Sequence, residues 1–222
     1  MRAMPGDLIH QLIVIGCGVF YYCATTIRLC NAAEKLICSF FARLPDYRQS
    51  VFQEVLTGIH NIPHKKSKRK EFMSEGEKLT VWTKFFLRLF QCTCNPFAYG
   101  FDDEKVTQPQ IEEMWTELNR LMTQFVHKFL KTLFKPSSKS RALPDEAKEL
   151  LEVTLLEVLQ AAYSSPDFPI AILMLETFSK LLRYFASKKD FDSTVRDLSC
   201  KMMAHCAARW NLEVLKIHFA SV

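Results

Sequence analysis

The chain has 222 residues, of which 49% are hydrophobic and 24% are charged, a composition typical of a globular protein. Its 18 phenylalanines can bury enough apolar surface to offset chain entropy, which excludes global disorder. Its 6 glycines form no phosphate-binding loop pattern, and its net charge of +5 is uneven, since residues 1–70 hold ten Lys/Arg against four Asp/Glu.

Apolar residues recur at helical spacing along most of the chain, and Pro, Asn and Ser interrupt them. The predicted helices cover about residues 7–29, 31–43, 46–61, 77–94, 107–134, 145–163, 168–186 and 190–210. Gly16 and Gly18 mark a place where the first helix can break. Asp46 is predicted to cap the third helix, and Pro63 to end it.

The N-terminal stretch of residues 12–27 is strongly apolar and allows two interpretations. A membrane span needs about 20 apolar residues, and Arg28 closes this run early. We therefore favour a buried helix. A membrane-anchored helical protein that uses residues 8–29 is a distant alternative.

A basic run follows the third helix. Its cations are Lys65, Lys66, Lys68, Arg69 and Lys70. Such runs are common, and three interpretations stay open: a solvated loop, a nuclear-import signal, or a contact with nucleic acid.

Short links between the last three predicted helices require antiparallel neighbours. Helix pairs that recur at about 40 residues are typical of α-solenoids of the HEAT or armadillo type. We predict an all-α, HEAT-like α-solenoid of antiparallel helix pairs, and a single α-helical bundle is the alternative. The predicted division is 1–63 N-terminal helices, 64–76 basic loop, 77–134 central helix pair, 135–144 linker, 145–210 C-terminal helices and 211–222 tail.

Residues that could carry chemistry form no recognisable site. The eight cysteines lack the pair spacing of a zinc site and are expected to be free, buried small hydrophobes in a reducing compartment. The six histidines form no metal-binding motif. Aromatic residues at helical spacing, Trp82 and Trp115 included, are expected in the core. We predict no enzyme, cofactor, metal or catalytic residue; a thiol enzyme is the last alternative.

Three patches in order resemble the Nipped-B family of cohesin loaders. The first runs from Tyr47-Arg48-Gln49 through Ile62-Pro63 into the basic run. The second is Leu87–Cys92, which resembles the family's next apolar helix. The third is Ser165-Pro166-Asp167-Phe168-Pro169 with the leucine-rich helix after it, and residues 192–209 also follow the family's pattern. Phe168 stands where the family more often has Trp.

The resemblance implies a fragment of the family's HEAT-repeat region, because family members are several times longer. It implies a nuclear, chromatin-associated scaffold that promotes cohesin loading and sister chromatid cohesion, while the ATP hydrolysis belongs to cohesin itself. The implied partners are cohesin subunits, non-specific double-stranded DNA and a loader partner subunit, with no membrane. The basic run would supply the DNA contact through phosphates.

An adaptor in transport or assembly, binding proteins only, is the alternative function. A fragment of a solenoid also exposes an apolar end, because terminal repeats normally carry a polar cap. The isolated chain is therefore expected to self-associate or to be marginally stable.

Overall fold

The computed structural model describes residues 6–22, 26–62, 79–94, 107–134, 145–164, 167–189, 191 and 193–220, with side chains as far as residue 211 except those of residues 27 and 60. All α-helices below lie in these ranges. They are α1 (Gly6–Tyr22), α2 (Ile27–Arg43), α3 (Arg48–Thr57), α4 (Val81–Gln91), α5 (Gln108–Leu133), α6 (Asp145–Ser164), α7 (Ile170–Ser187) and α8 (Ser193–Ala220).

The helices lie close to where the apolar periodicity predicts them, with four differences. The first helix ends at Tyr22 and the second begins at Ile27, whereas the predicted boundary lies at residues 29–31. The first helix does not break at Gly16 or Gly18, because helical backbone continues through both. Asp46 does not cap α3: Pro45–Tyr47 form a 3₁₀ turn instead, and no side chain caps the helix. The last helix continues to Ala220, about ten residues past the predicted end.

The chain divides into two compact units, Met1–Leu121 and Met122–Val222, with the division inside α5. In the first unit α1 packs along α2, and the short link between them makes the pair antiparallel. The helix α3 packs on both, and α4 packs on α2. The core between them is rich in aromatic rings, among them Phe20, Phe41, Phe52, Phe85, Phe86 and Phe90.

In the second unit α6, α7 and α8 all pack on one another, and short links again make successive helices antiparallel. The C-terminal half of α5 joins them, because Phe129 contacts Phe178 of α7 edge to face at 5.9 Å between ring centroids. His127 of α5 and Phe134, just after its end, lie against Phe185. Antiparallel helix pairs of this kind build HEAT-type arrays, so the predicted all-α, HEAT-like class is confirmed.

One expectation about the core is wrong. Trp82 is buried as predicted, but Trp115 near the start of α5 is 55% exposed, and Ile111 one turn earlier is exposed as well. The helical spacing correctly places Trp115 and Ile111 on one face of α5. No described helix covers that face, and periodicity alone does not reveal whether a neighbouring helix packs on it.

The apolar N-terminal stretch forms α1 and enters α2, and its side chains are divided between the core and solvent. Within the described part of the chain, no helix has both the length and the apolar character needed to cross a bilayer.

Candidate functional site

The five predicted DNA-binding residues, Lys65, Lys66, Lys68, Arg69 and Lys70, lie outside the described residues. Both flanks of the segment that contains them, residues 63–78, are described. Ile62 is buried before it, and Leu79 and Thr80 are buried after it. The described residues that flank the basic segment therefore belong to the core of the first unit.

Arg48 holds α3 against the end of α2. Its Nε donates to the Phe41 carbonyl oxygen at 3.0 Å and its Nη2 to the Ala42 carbonyl at 3.5 Å. These carbonyls belong to the last turn of α2, which has no further helical N–H groups to bond. The guanidinium also lies over the Phe41 ring. A cation at this point complements both the free carbonyls and the negative end of the helix dipole.

The Arg48 guanidinium also reaches α5, where Nη1 donates to Glu117 at 3.1 Å. Glu117 accepts two further bonds from Arg120, at 2.6 and 2.7 Å. The hydrogen bond from Arg120, with Arg48 adding to it, holds the pKa of Glu117 below its usual value of 4.5. The carboxylate therefore stays charged, and it ties three elements of the first unit together.

A surface cleft of about 510 Å³ opens beside this network. Its lining residues are Pro45, Arg48, Glu112, Glu113, Thr116 and Glu117. Among the described residues, no group of three or more His, Cys, Asp or Glu side chains is arranged to hold a metal ion. The Arg48–Glu117 ion pair forms part of the cleft wall.

A second ion pair, which the sequence does not indicate, joins α2 to α4. Nη1 of Arg88 donates to Oε1 of Glu34 at 2.7 Å, and Glu34 is buried. A buried carboxylate without a cation is costly, so this pair sets the register between the two helices. A Glu and an Arg 54 residues apart share no motif, and only the packing of α4 on α2 brings them together.

The described cysteines behave mainly as small core residues. Cys17, Cys30 and Cys38 are buried and free, whereas Cys94 and Cys200 are exposed, contrary to the expectation that all are buried. Burial raises the pKa of the Cys17 thiol to about 12. The hydrogen bond with Cys92, together with burial, raises the pKa of Cys38. A thiol that stays protonated is a poor nucleophile.

The second unit carries an apolar groove between α7 and α8, which we call the α7–α8 groove. It encloses about 620 Å³. Its lining residues are Leu159 of α6; Ile172, Leu175, Glu176, Ser179, Lys180 and Arg183 of α7; and Met203, Cys206, Ala207 and Trp210 of α8. Residues three, four and seven apart face one way on a helix, so each helix contributes one face.

One wall of the α7–α8 groove is aromatic. The Trp210 ring meets Tyr163 of α6 edge to face, with 4.9 Å between the ring centroids. This contact gives an otherwise exposed indole a defined position at the mouth of the groove. The expectation that aromatic residues lie in the core misses this surface; the signal for it in the sequence is the spacing of Met203, Cys206, Ala207 and Trp210.

Comparisons with known proteins extend the resemblance over nearly the whole chain. It is 25% identical over 218 residues to Nipped-B-like protein B of Danio rerio, 22% over 220 to Nipped-B-like protein scc-2 of Caenorhabditis elegans, and 24% over 194 to the Nipped-B-like protein of Homo sapiens. These matches cover 94%, 94% and 82% of this chain. The predicted resemblance to the Nipped-B-like proteins is confirmed.

The chain spans only 7%, 10% and 7% of the length of these three curated relatives. It is similar to a short section of each. No protein-family model matches the chain, and no solved structure matches it significantly.

Proposed function

We propose that this chain is a non-enzymatic HEAT-like scaffold that acts in cohesin loading and sister chromatid cohesion at nuclear chromatin. The observation that carries the proposal is the similarity to Nipped-B-like proteins over 94% of the chain, on a fold of antiparallel helix pairs. Such pairs present helix faces in series to partners, and they bind without a catalytic cleft.

The proposed DNA contact is the basic segment. Its five cations are preceded and followed by residues buried in the first unit, so a rigid base would present them to phosphates. Contacts to phosphate supply affinity without sequence preference, because every duplex has the same backbone. The cohesin subunits would then be bound by other surfaces of the array.

Charge reversal tests the DNA contact. Replacing Lys65, Lys66, Lys68, Arg69 and Lys70 by Glu should weaken binding to a duplex of mixed sequence. The slope of log affinity against log salt should flatten by about 0.9 for each phosphate that the variant no longer neutralises. Fluorescence anisotropy of a labelled duplex across a salt series measures both quantities.

The matched control reverses five exposed cations of the described residues, Lys35, Arg43, Lys188, Lys189 and Lys201. This variant changes the net charge by the same amount and should bind DNA more tightly than the first. Equal weakening in the two variants would show a general charge effect, and unchanged binding in the first would remove the basic segment from the proposal.

The scaffold role is tested by capture from nuclear extract with the tagged chain, with and without nuclease, read by mass spectrometry. Cohesin subunits in both samples are the expected result, because a scaffold contacts the ring directly. If cohesin is captured only when nuclease is omitted, the chain reaches cohesin through DNA, and only the DNA contact of the proposal would be supported. Transport or cytosolic assembly factors in place of cohesin would favour the protein-binding adaptor.

A further inference from the structure

The α7–α8 groove exposes large apolar side chains to solvent. Ile172 in the first turns of α7 is 57% exposed, and Trp210 of α8 is 44% exposed. Leu175 forms a buried floor between them. Large exposed side chains gathered around a concave apolar floor mark sites of protein association. The contact of Trp210 with Tyr163 holds the indole in place before any partner arrives.

The groove also has charged lining residues. Towards the C-terminus of α7 it is lined by Lys180 and Arg183. Lys180 is paired with Glu176 at 2.6 Å. Arg183 is exposed and has no carboxylate within ion-pair distance among the described residues. Among the described lining residues, Arg183 is therefore the charged group without an ion-pair partner, and it lies at the end of the groove opposite Ile172 and Trp210.

The dimensions of the groove select the shape of its occupant. Ile172 and Arg183 are eleven residues apart on one helix face, which corresponds to about 16 Å or three helical turns. A third helix laid into the groove would place two or three apolar residues, three or four positions apart, on Ile172, Leu175 and Trp210. Its end would then lie beside Arg183, where an acidic side chain is favoured.

We propose that the α7–α8 groove binds an amphipathic helix of a partner protein, with its apolar face on Ile172 and Trp210 and an acidic end at Arg183. This groove belongs to the second unit, and none of its lining residues is one of the five cations of the basic segment. Protein binding here would persist even if the basic segment made no contact with DNA.

A labelled synthetic peptide of about 16 residues, the length of four helical turns, tests the inference with the full chain. It carries Leu at helical spacing and ends in three Glu; matched peptides end in three Gln or three Lys. We expect the Glu-ended peptide to bind tightest by fluorescence anisotropy and the Lys-ended peptide weakest. Equal binding of all three, or binding of none, would overturn the proposal.

Variants assign the binding to the groove. Arg183→Glu should weaken binding of the Glu-ended peptide about fivefold or more and reverse the preference between Glu and Lys ends. Trp210→Ala should weaken binding about tenfold, as expected for an aromatic anchor. Ile172→Ser, at an exposed position that folding does not require, should weaken it too. The control Arg43→Glu, on α2 of the first unit, should leave binding unchanged.

A second copy of the chain is the competing occupant. If it filled the groove, Trp210→Ala and Ile172→Ser would convert an associating chain to a monomer in sedimentation experiments. That result would overturn the proposal of a foreign helix.

Discussion

At the scale of single residues, Arg48 of the Tyr47-Arg48-Gln49 patch links three helices of the first unit. Its guanidinium satisfies two carbonyls at the end of α2 and pairs with Glu117 of α5. Neither Lys nor an apolar residue has the flat, many-donor group that can bond in three directions at once. The residue therefore serves the fold of the first unit.

Replacing Arg48 by Met should lower the free energy of unfolding by about 2–3 kcal/mol, because two buried carbonyl oxygens lose a charged donor. Urea denaturation followed by circular dichroism measures the change. Glu117→Gln is the control and should cost no more than about 1 kcal/mol, since the ion pair is partly exposed and the two carbonyl bonds survive. If Arg48→Met and Glu117→Gln lost the same stability, the effect would belong to the ion pair and not to the carbonyl hydrogen bonds.

His127 gives the second unit a pH dependence. Burial, with the nearby charge of Lys131, lowers the pKa of the imidazole below its usual value of 6.5. The folded chain then binds fewer protons than the unfolded chain in this window, so stability rises with pH. The contribution is present above pH 6.5 and is lost as the pH falls from there through the folded pKa.

The variant His127→Gln should remove this pH dependence. Urea midpoints measured between about pH 5 and 7.5 are expected to fall less steeply with acid in the variant than in the parent chain. Parallel curves for the two proteins would contradict the assignment to His127.

At the scale of helices, the packing of α1 against α3 depends on Gly58, just past the end of α3. The Tyr21 hydroxyl donates to the Val55 carbonyl at 2.7 Å, which fixes the ring over the backbone of α3. A Cβ atom at Gly58 would overlap that ring. The backbone of Gly58 is helical, so the requirement at this position is for space.

Two glycine substitutions should therefore have opposite effects. Gly58→Ala is expected to lower the free energy of unfolding by about 2 kcal/mol, because Tyr21 must move and its buried hydrogen bond weakens. Gly18→Ala should raise it by about 0.5–1 kcal/mol, since a Cβ there meets no atom within 4 Å and alanine favours the helix. A thermal melt of each variant measures the change in stability. If both variants were stabilised, or both destabilised, the role given to Tyr21 would be refuted.

At the scale of the whole molecule, the first unit exposes an apolar stripe on α1 and α2. Leu8, Ile15 and Tyr22 are exposed and seven residues apart, which places them on one face of α1. Leu29 and Leu36 are spaced in the same way on α2, and Leu36 reaches the α1 backbone at Gly16. Apolar residues aligned across two packed helices are typical of a surface that another helix covers.

The isolated chain should therefore self-associate through this stripe. Sedimentation equilibrium is expected to show a mass above that of the monomer at tens of micromolar, and Ile15→Gln with Leu29→Gln should shift the chain towards monomer. Both changes keep the net charge and leave the buried face of each helix intact. A parent chain that stays monomeric throughout would contradict the expectation.

The sequence by itself determined the helical class, the order and approximate bounds of the helices, and the resemblance to Nipped-B-like proteins. Helical spacing depends only on residues close together in the sequence. The positions of Leu121, Phe125 and Phe129 therefore predict a shared helix face without knowledge of the tertiary structure. Turn residues likewise mark where most helices end, although Asp46 misled because Pro45 starts a 3₁₀ turn there.

Only the tertiary structure decided which faces are covered and which distant side chains meet. Trp115 and Trp210 share the spacing of core residues but lie at the surface, because burial depends on a neighbour that the sequence pattern does not name. The pair of Arg48 with Glu117, the pair of Glu34 with Arg88 and the fit of Gly58 under Tyr21 join residues 37 to 69 positions apart. Such contacts follow from how helices pack, and packing is a property of the folded chain as a whole.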